Sequence, residues 1–185
     1  MNLQEQIDIR EKGSGNIGAT NITRVLGLRW GIVAFILDAS KGVIPFLICG
    51  HFLPEILYYD RGLILLVSSL SIIGHDFSCF LGFKGGKGMS TLVGLLFVYN
   101  LNIAFLTCAV WLVILFISGY VSMASIIAAF SMIAWCILIS PSVPSIIFAC
   151  VLSIITVWQH RGNIKRLLNH TEKVMFEKNF LGNKN

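Results

Sequence analysis

Ser14, Asn16, Thr20 and Asn21 share a short stretch with Gly13, Gly15 and Gly18, and Arg24 follows Ser14 by ten residues. Glycines let a backbone approach a ligand and aim successive N–H groups at one anion, and a guanidinium adds a fork that fits phosphate. A flexible loop with a helix cap near Thr20 is the plainer reading of the same residues. A second island, Lys84-Gly85-Gly86-Lys87-Gly88, sets two cations around equally pliable backbone. It fails the G-x-x-x-x-G-K-[ST] phosphate-loop pattern, because Gly88 stands where Ser or Thr must follow Lys87, and no strand pattern precedes it. That argues against nucleotide hydrolysis and leaves binding of a phosphate or phosphoanhydride by lysines and glycine amides. The alternative, a positively charged anchor loop, needs the lysines but not the glycine pair. Further on, Ser118, Ser122 and Ser125 surround Gly119 and Tyr120. Such hydroxyls either meet a ligand or bond back to their own helix. His160 and Asn163 are three residues apart and so share a helix face. Their run, with Arg161, Lys165 and Arg166, also suits a basic helix gripping anionic lipid.

These islands interrupt a chain that is otherwise apolar. Of its 185 residues 56% are hydrophobic and 12% charged, and the mean hydropathy is +0.80. Such values belong to an integral membrane protein rather than a soluble domain. The net charge of +5 then fits the Lys and Arg excess of cytoplasmic loops, not nucleic-acid binding. Apolar segments fall at 30–52, 62–74, 89–99, 103–118, 121–139 and 143–158. They predict an all-α, polytopic helical bundle of about six spans in a single domain. A polar segment 1–29 leads it, spans with interspersed motifs fill 30–159, and a basic tail occupies 160–185. The second and third segments fall short of the roughly 17 residues a span needs. They are half-helices or extend into the island between them, a pattern that often builds a site within a membrane protein.

Alternating connections place 1–29, 75–88, 118–122 and the tail from Gln159 on one face. That face carries Arg10, Lys12, Arg24, Arg29, Lys84, Lys87, Arg161, Lys165, Arg166, Lys173, Lys178 and Lys184, against Arg61 alone on the other. The asymmetry predicts a protein of the inner (cytoplasmic) membrane with its polar site facing the cytoplasm. Asp38 and Lys41, three apart within the first span, are functional candidates that also suit a mutually neutralising structural pair. Cys49, Cys79, Cys108, Cys136 and Cys150 are odd in number and form no C-x-x-C pair. They read as small buried hydrophobes, not as a disulfide framework or a metal site. His51 and His170 read as surface residues.

Four segments in this order, GSGNIGATN with Arg24, GHDFSCFLGFKGGKGMST, GYVSMAS and HRGNIKRLLNHTE, resemble the signature segments of the bacterial acyl-phosphate:glycerol-3-phosphate acyltransferases. The resemblance runs from Asp8 to Glu172, nearly the whole chain. It implies transfer of a fatty acyl group from acyl phosphate to the 1-hydroxyl of sn-glycerol 3-phosphate. The products are lysophosphatidic acid and phosphate, with neither cofactor nor metal, and membrane lipids as surroundings. It also implies catalytic roles for Ser14, Arg24, Lys84, His160 and Asn163, and substrate contacts from Gly13, Asn16, Thr20, Asn21, Gly85, Gly86, Lys87 and Ser122. The sequence departs from the family at Ser78, Gly162 and His170, where Pro, Glu and Gly are usual. Family members usually begin with another span ahead of the first motif. Here MNLQEQI precedes Asp8, so a late-placed start or a six-span form is expected.

An acyl phosphate is already an activated mixed anhydride with a good leaving group. Its transfer needs positioning and anion stabilisation more than a covalent nucleophile. No Ser-His-Asp set is evident, since the acids near the motifs, Asp8, Glu11, Asp76 and Glu172, have no informative spacing. The expected step is direct attack by the glycerol hydroxyl, with a substrate phosphate or His160 taking its proton and the acyl chain lying between spans. An acylated Ser14 is the alternative within enzymology. The rivals are a small transporter of a phosphorylated or anionic metabolite and an inactive truncated homologue. A transporter needs polar islands open to both sides, and these gather on one face.

Overall fold

The computed structural model describes residues 7–175, so Lys178 and Lys184 of the expected cytoplasmic set lie outside the described residues. Every regular element among the described residues is helical. Helix α1 (Ala19–Leu26) ends at Gly27, whose φ of 91° breaks the chain direction before α2 (Leu28–Phe52). Thr23 of α1 then packs on Gly31, where a β-carbon would stand 1.7 Å from the threonine hydroxyl. Next come α3 (Pro54–Tyr59), α4 (Arg61–Ser68), α5 (Leu70–Asp76) and a 3-10 turn, Cys79–Leu81. The second half holds α6 (Met89–Tyr99), α7 (Leu101–Ser118), α8 (Val121–Ile139), α9 (Val143–Gln159) and α10 (Arg161–Leu168).

Among the described residues four stretches are long and apolar enough to cross a membrane: Leu28–Phe52, Arg61–Leu81, Leu101–Ser118 and Val121–Ile139. Helices α9 and α10, bent by 59°, make a fifth if they are taken as one broken span. The six expected spans thus become four or five. The segment expected over 62–74 extends to Leu81, whereas α6 stays at 11 residues. At 1.5 Å per residue α6 is about 16 Å long, half of a ~30 Å hydrocarbon core. Its limits are local: Gly88 enters it at φ 67°, and Asn100 ends it by capping α7, accepting from the N–H groups of Asn102 (3.0 Å) and Ile103 (3.2 Å).

Between helices in lipid, close backbone approach replaces the hydrophobic effect as the source of packing energy. Helices α2 and α6 meet in that way. A β-carbon on Gly42 would lie 2.2 Å from the Thr91 carbonyl, and one on Gly94 would lie 2.2 Å from that of Ala39. Leu92, Leu95, Ile103, Met132, Phe148 and Leu152 form the centre of the core. Ser153 ties α9 to α8, its hydroxyl set 2.8 Å from the Ala129 carbonyl and 2.7 Å from that of Ala149. Cys136 is buried and Cys49, Cys108 and Cys150 are half-buried, but Cys79 is exposed on the 3-10 turn. The buried-hydrophobe reading therefore does not extend to Cys79. Within α2, Lys41 donates to Asp38 at 2.7 Å, the neutralising pair of the structural reading.

The three departures have local geometries. Ser78 has φ −60° and ψ 119°, a conformation proline shares, and its N–H donates to nothing among the described residues. His170 sits at φ 56°, in the left-handed region, where the chain leaves α10. A β-carbon on Gly162 would meet only the Arg166 guanidinium, at 3.7 Å. Ser78→Pro and His170→Gly are therefore each expected to stabilise the protein, by up to about 1 kcal/mol. Thermal unfolding in detergent should show both melting temperatures rising, and a fall would show that the loop needs the residue it has.

Candidate active site

The first glycine loop is held by one side chain. Asn21, 2% exposed, accepts from the Ser14 N–H at 2.7 Å and donates to the carbonyls of Asn16 (2.8 Å), Lys12 (3.1 Å) and Ile9 (3.3 Å). Asn16 adds a turn of its own, accepting from the Gly18 N–H at 2.8 Å. Gly13 must be glycine here, because its φ is 63° and a β-carbon would lie 2.2 Å from the Asn21 amide oxygen. The polar atoms of Asn21 are thus engaged with the loop. The Ser14 hydroxyl and the Arg24 guanidinium, by contrast, bond to no protein group among the described residues.

The second loop is built differently from expectation. The Gly85 N–H donates to the Asp76 carbonyl (3.0 Å) and the Gly86 N–H to that of His75 (3.3 Å), so these amides satisfy the open carbonyls at the end of α5. They do not form an anion nest. The glycines serve close approach: β-carbons on Gly85 and Gly86 would lie 1.9 Å from the His75 carbonyl and 2.0 Å from its imidazole Nε2. Lys84 and Lys87 then part company. Lys84 makes no hydrogen bond among the described residues, whereas Lys87 donates to Asn163 Oδ1. Burial lowers the Lys87 pKa to about 8, with Arg166 adding to that effect and Glu172 opposing it.

Glu172 gathers the remaining motifs. Its carboxylate accepts from Asn163 (2.5 Å), the Ser122 hydroxyl (2.9 Å) and Arg166 (2.7 Å). Burial raises its pKa, but those three hydrogen bonds and the Arg166 charge outweigh burial and hold it below the ordinary carboxylate value. The tail then straps the site. Lys173 donates to the Gly13 carbonyl, and the Met175 N–H to that of Gly119, each at 2.8 Å. His160, in the bend between α9 and α10, sets Nδ1 2.8 Å from the Thr156 carbonyl. A carbonyl only accepts, so Nδ1 carries the hydrogen, and in the neutral ring Nε2 keeps its lone pair.

Two cavities adjoin in this region. The larger, about 630 Å³, has a polar end at the first loop, Lys87, His160 and Glu172 and continues between α2, α6, α7 and α8 along apolar walls. Phe35 and Leu112, both exposed, are among its apolar lining. The smaller, about 400 Å³, is polar and cationic, with Lys84, Arg161 and Arg166 around it. Gly13, Thr20, Asn21, Arg24, Ser122 and His160 line only the larger, and Lys84, Gly85 and Gly86 only the smaller. Ser14, Asn16, Lys87, Asn163 and Arg166 line both. Arg166 was not among the site residues expected from sequence, nor was Glu172, though both lie inside the fourth motif. Asp38 and His75, with carboxylate and Nδ1 3.5 Å apart, also reach the wall of the larger cavity.

A family model described as glycerol-3-phosphate acyltransferase matches residues 1–170. The glycerol-3-phosphate acyltransferase of Aquifex aeolicus is 38% identical over 166 residues, 90% of this chain and 84% of that protein. That of Listeria welshimeri is 38% identical over 165 residues, 89% of this chain and 81% of that protein. Among solved structures, PlsY, an integral membrane glycerol 3-phosphate acyltransferase, in its glycerol 3-phosphate form aligns with a TM-score of 0.85 at 36% identity. The alignment covers 96% of this chain and 86% of that one. The lysophosphatidic acid form of PlsY gives 0.78 at 37% identity, over 88% and 81%.

With its pKa at about 8, the Lys87 side chain is an ammonium below that pH and a neutral amine above it. A bound anion favours the ammonium, so affinity for inorganic phosphate should fall as pH rises past about 8, by up to about tenfold per unit. Isothermal titration between pH 7 and 10 measures this, and Lys87→Arg, which keeps its charge, should flatten the curve. A flat wild-type profile would remove Lys87 from any anion site.

Proposed function

This chain belongs to the glycerol-3-phosphate acyltransferase family and is an integral membrane glycerol-3-phosphate acyltransferase, and we propose that its acyl donor is a fatty acyl phosphate. The observation that carries this reading is the pair of adjoining cavities sharing Ser14, Asn16, Lys87, Asn163 and Arg166. A lipid-like donor with an anionic head fits the cleft that is polar at one end and apolar along its length. A small, soluble, doubly charged acceptor fits the polar cavity beside it. Family membership favours this over a transporter. The basic face is the cytoplasmic one, in the inner membrane of a bacterium, and the chain forms one acyltransferase domain.

In this reading the donor phosphate lies against Ser14, Arg24 and Lys87, and glycerol 3-phosphate places its phosphate near Lys84 and Arg166. Asn163 orients Lys87 at the shared wall. The glycerol hydroxyl attacks the acyl carbon, the bond from that carbon to the phosphate oxygen breaks, and inorganic phosphate leaves with the electron pair. The hydroxyl proton passes to His160 Nε2 or to a substrate phosphate. Cations already in place stabilise the charge on the leaving phosphate without reorganising. Asn16, Gly13, Thr20 and Asn21 shape the loop that presents Ser14, Gly85 and Gly86 hold the second loop on α5, and Ser122 acts through Glu172.

Purified protein given palmitoyl phosphate and glycerol 3-phosphate should release phosphate, and palmitoyl thioesters should not replace the donor; equal rates from a thioester would overturn the donor assignment. Lys84→Ala should raise KM for glycerol 3-phosphate by about 10- to 100-fold, the value of one charge-assisted contact. Lys87→Ala should lower kcat by a comparable factor. Rapid quenching should trap no acylated Ser14, and finding one would replace direct attack with a two-step route.

A further inference from the structure

We infer that Lys173 is a further binding residue for the donor phosphate, its ammonium shared between the Gly13 carbonyl and that phosphate; the inference rests on the reading of the larger cleft as the donor site. Lys173 lines the larger cavity and not the smaller, as Arg24 does. Its Nζ donates to the Gly13 carbonyl at 2.8 Å, a bond between residues 160 positions apart. Gly13 immediately precedes Ser14, whose hydroxyl bonds to no protein group among the described residues. The ammonium therefore stands at the loop that presents Ser14 to the same cleft. A lysine that only adds to the basic face is placed differently: Lys165 is exposed and lines neither cavity.

Among the described residues no ion pair neutralises that charge. The neighbouring acid, Glu172, is engaged with Arg166, Asn163 and Ser122, and no carboxylate pairs with Lys173. An ammonium carries three N–H donors, and the Gly13 carbonyl engages one of them. The backbone around Lys173 is held on both sides. The Thr171 N–H donates to the Arg166 carbonyl and the Met175 N–H to that of Gly119, each at 2.8 Å. A lysine loses much rotamer freedom when it meets an anion, and the Gly13 bond has already taken part of that loss. A fatty acyl phosphate brings an anionic head, and when the bond from acyl carbon to phosphate oxygen breaks, the electron pair adds to the charge of that head. A cation fixed there beforehand stabilises the charge without reorganising. Lys173 is exposed, so water screens part of the attraction and the contact stands at the low end for a charge-assisted bond, about tenfold in affinity.

The test separates the charge of Lys173 from its tie to the first loop. Lys173→Gln keeps an N–H for the Gly13 carbonyl but removes the charge, and Lys173→Arg keeps both. Full-length protein in mixed micelles is titrated with inorganic phosphate under saturating glycerol 3-phosphate, which fills the smaller cavity and leaves the donor end to the phosphate. Lys173→Gln should weaken phosphate binding by about tenfold, and the difference from wild type should shrink as salt is raised. Lys173→Arg should bind as wild type does. In steady-state assays Lys173→Gln should raise KM for palmitoyl phosphate by a similar factor and leave KM for glycerol 3-phosphate unchanged. Phosphate affinity and donor KM equal to wild type in Lys173→Gln overturn the inference, because the lysine then only ties the tail to the loop. An equal loss in both variants, or a matching rise in KM for glycerol 3-phosphate, also overturns it, since a displaced tail would act on the whole site. Wild-type protein that acylates glycerol 3-phosphate from no acyl phosphate would instead overturn the donor reading, and this inference with it.

Discussion

A backbone amide or carbonyl without water must find a partner inside the protein, and every feature of the site follows from how two irregular loops meet that demand. The first loop uses a side chain: the Asn21 amide substitutes for solvent, accepting once and sharing its two N–H groups among three carbonyls. The second uses a helix end, with the Gly85 and Gly86 amides closing the carbonyls that α5 leaves open. Each solution consumes main-chain groups that could otherwise have bound a ligand. Among the described residues, what remains without a protein partner is side chains: Ser14 on the first loop with Arg24 on α1 beside it, and Lys84 on the second. The proposed anion recognition is therefore a matter of cations and a hydroxyl, not of main-chain amides.

Charge balance decides how those cations can coexist. Lys87, Arg166 and Lys173 converge with Arg24 on one cleft, and burying them without compensation would drive the lysine neutral. Glu172 supplies the compensation through hydrogen bonds to Ser122, Asn163 and Arg166. The carboxylate also links three parts of the chain, α8, α10 and the tail strap, into one wall. Lys87 still stands near its own titration range, so the substrate phosphate proposed to bind there would restore a charge that burial has weakened.

Much of this was legible in the sequence, because the motifs are contiguous and glycine-rich in an apolar chain. Ser14, Arg24, Lys87, His160 and Asn163 could be picked out by residue type and spacing, and all of them line the larger cleft. The misreadings have one physical source, which is that sequence does not show what a polar atom is already bonded to. Asn21 reads as a ligand contact until its four loop bonds are seen, and the Gly85-Gly86 pair reads as a nest until His75 and Asp76 are placed behind it. Lys84 and Lys87 look equivalent in Lys-Gly-Gly-Lys, and only burial separates them. Glu172 gave no signal because its partners lie 50, nine and six residues away. Helix α6 is the half-helix that its short apolar run allowed, and the Asn100 cap on α7 is what ends it.

The division of the site into two cavities gives the proposed chemistry its direction. Attack requires the acceptor hydroxyl and the acyl carbon to meet at the wall formed by Ser14, Asn16, Lys87, Asn163 and Arg166, with each phosphate held on its own side. Two phosphates of like charge would resist that approach, and the cations between them remove the resistance only while both are present. After transfer the acyl chain belongs to the molecule that entered as the acceptor, so the product spans both cavities, and the freed phosphate has lost the chain that kept it in the larger one. In that chemistry the small anion has no apolar contact to retain it, while the new lipid keeps its chain along the apolar walls of the larger cleft. In the proposed chemistry, the same partition that brings a soluble and a lipid-like substrate together thus returns one product to water and the other to the bilayer.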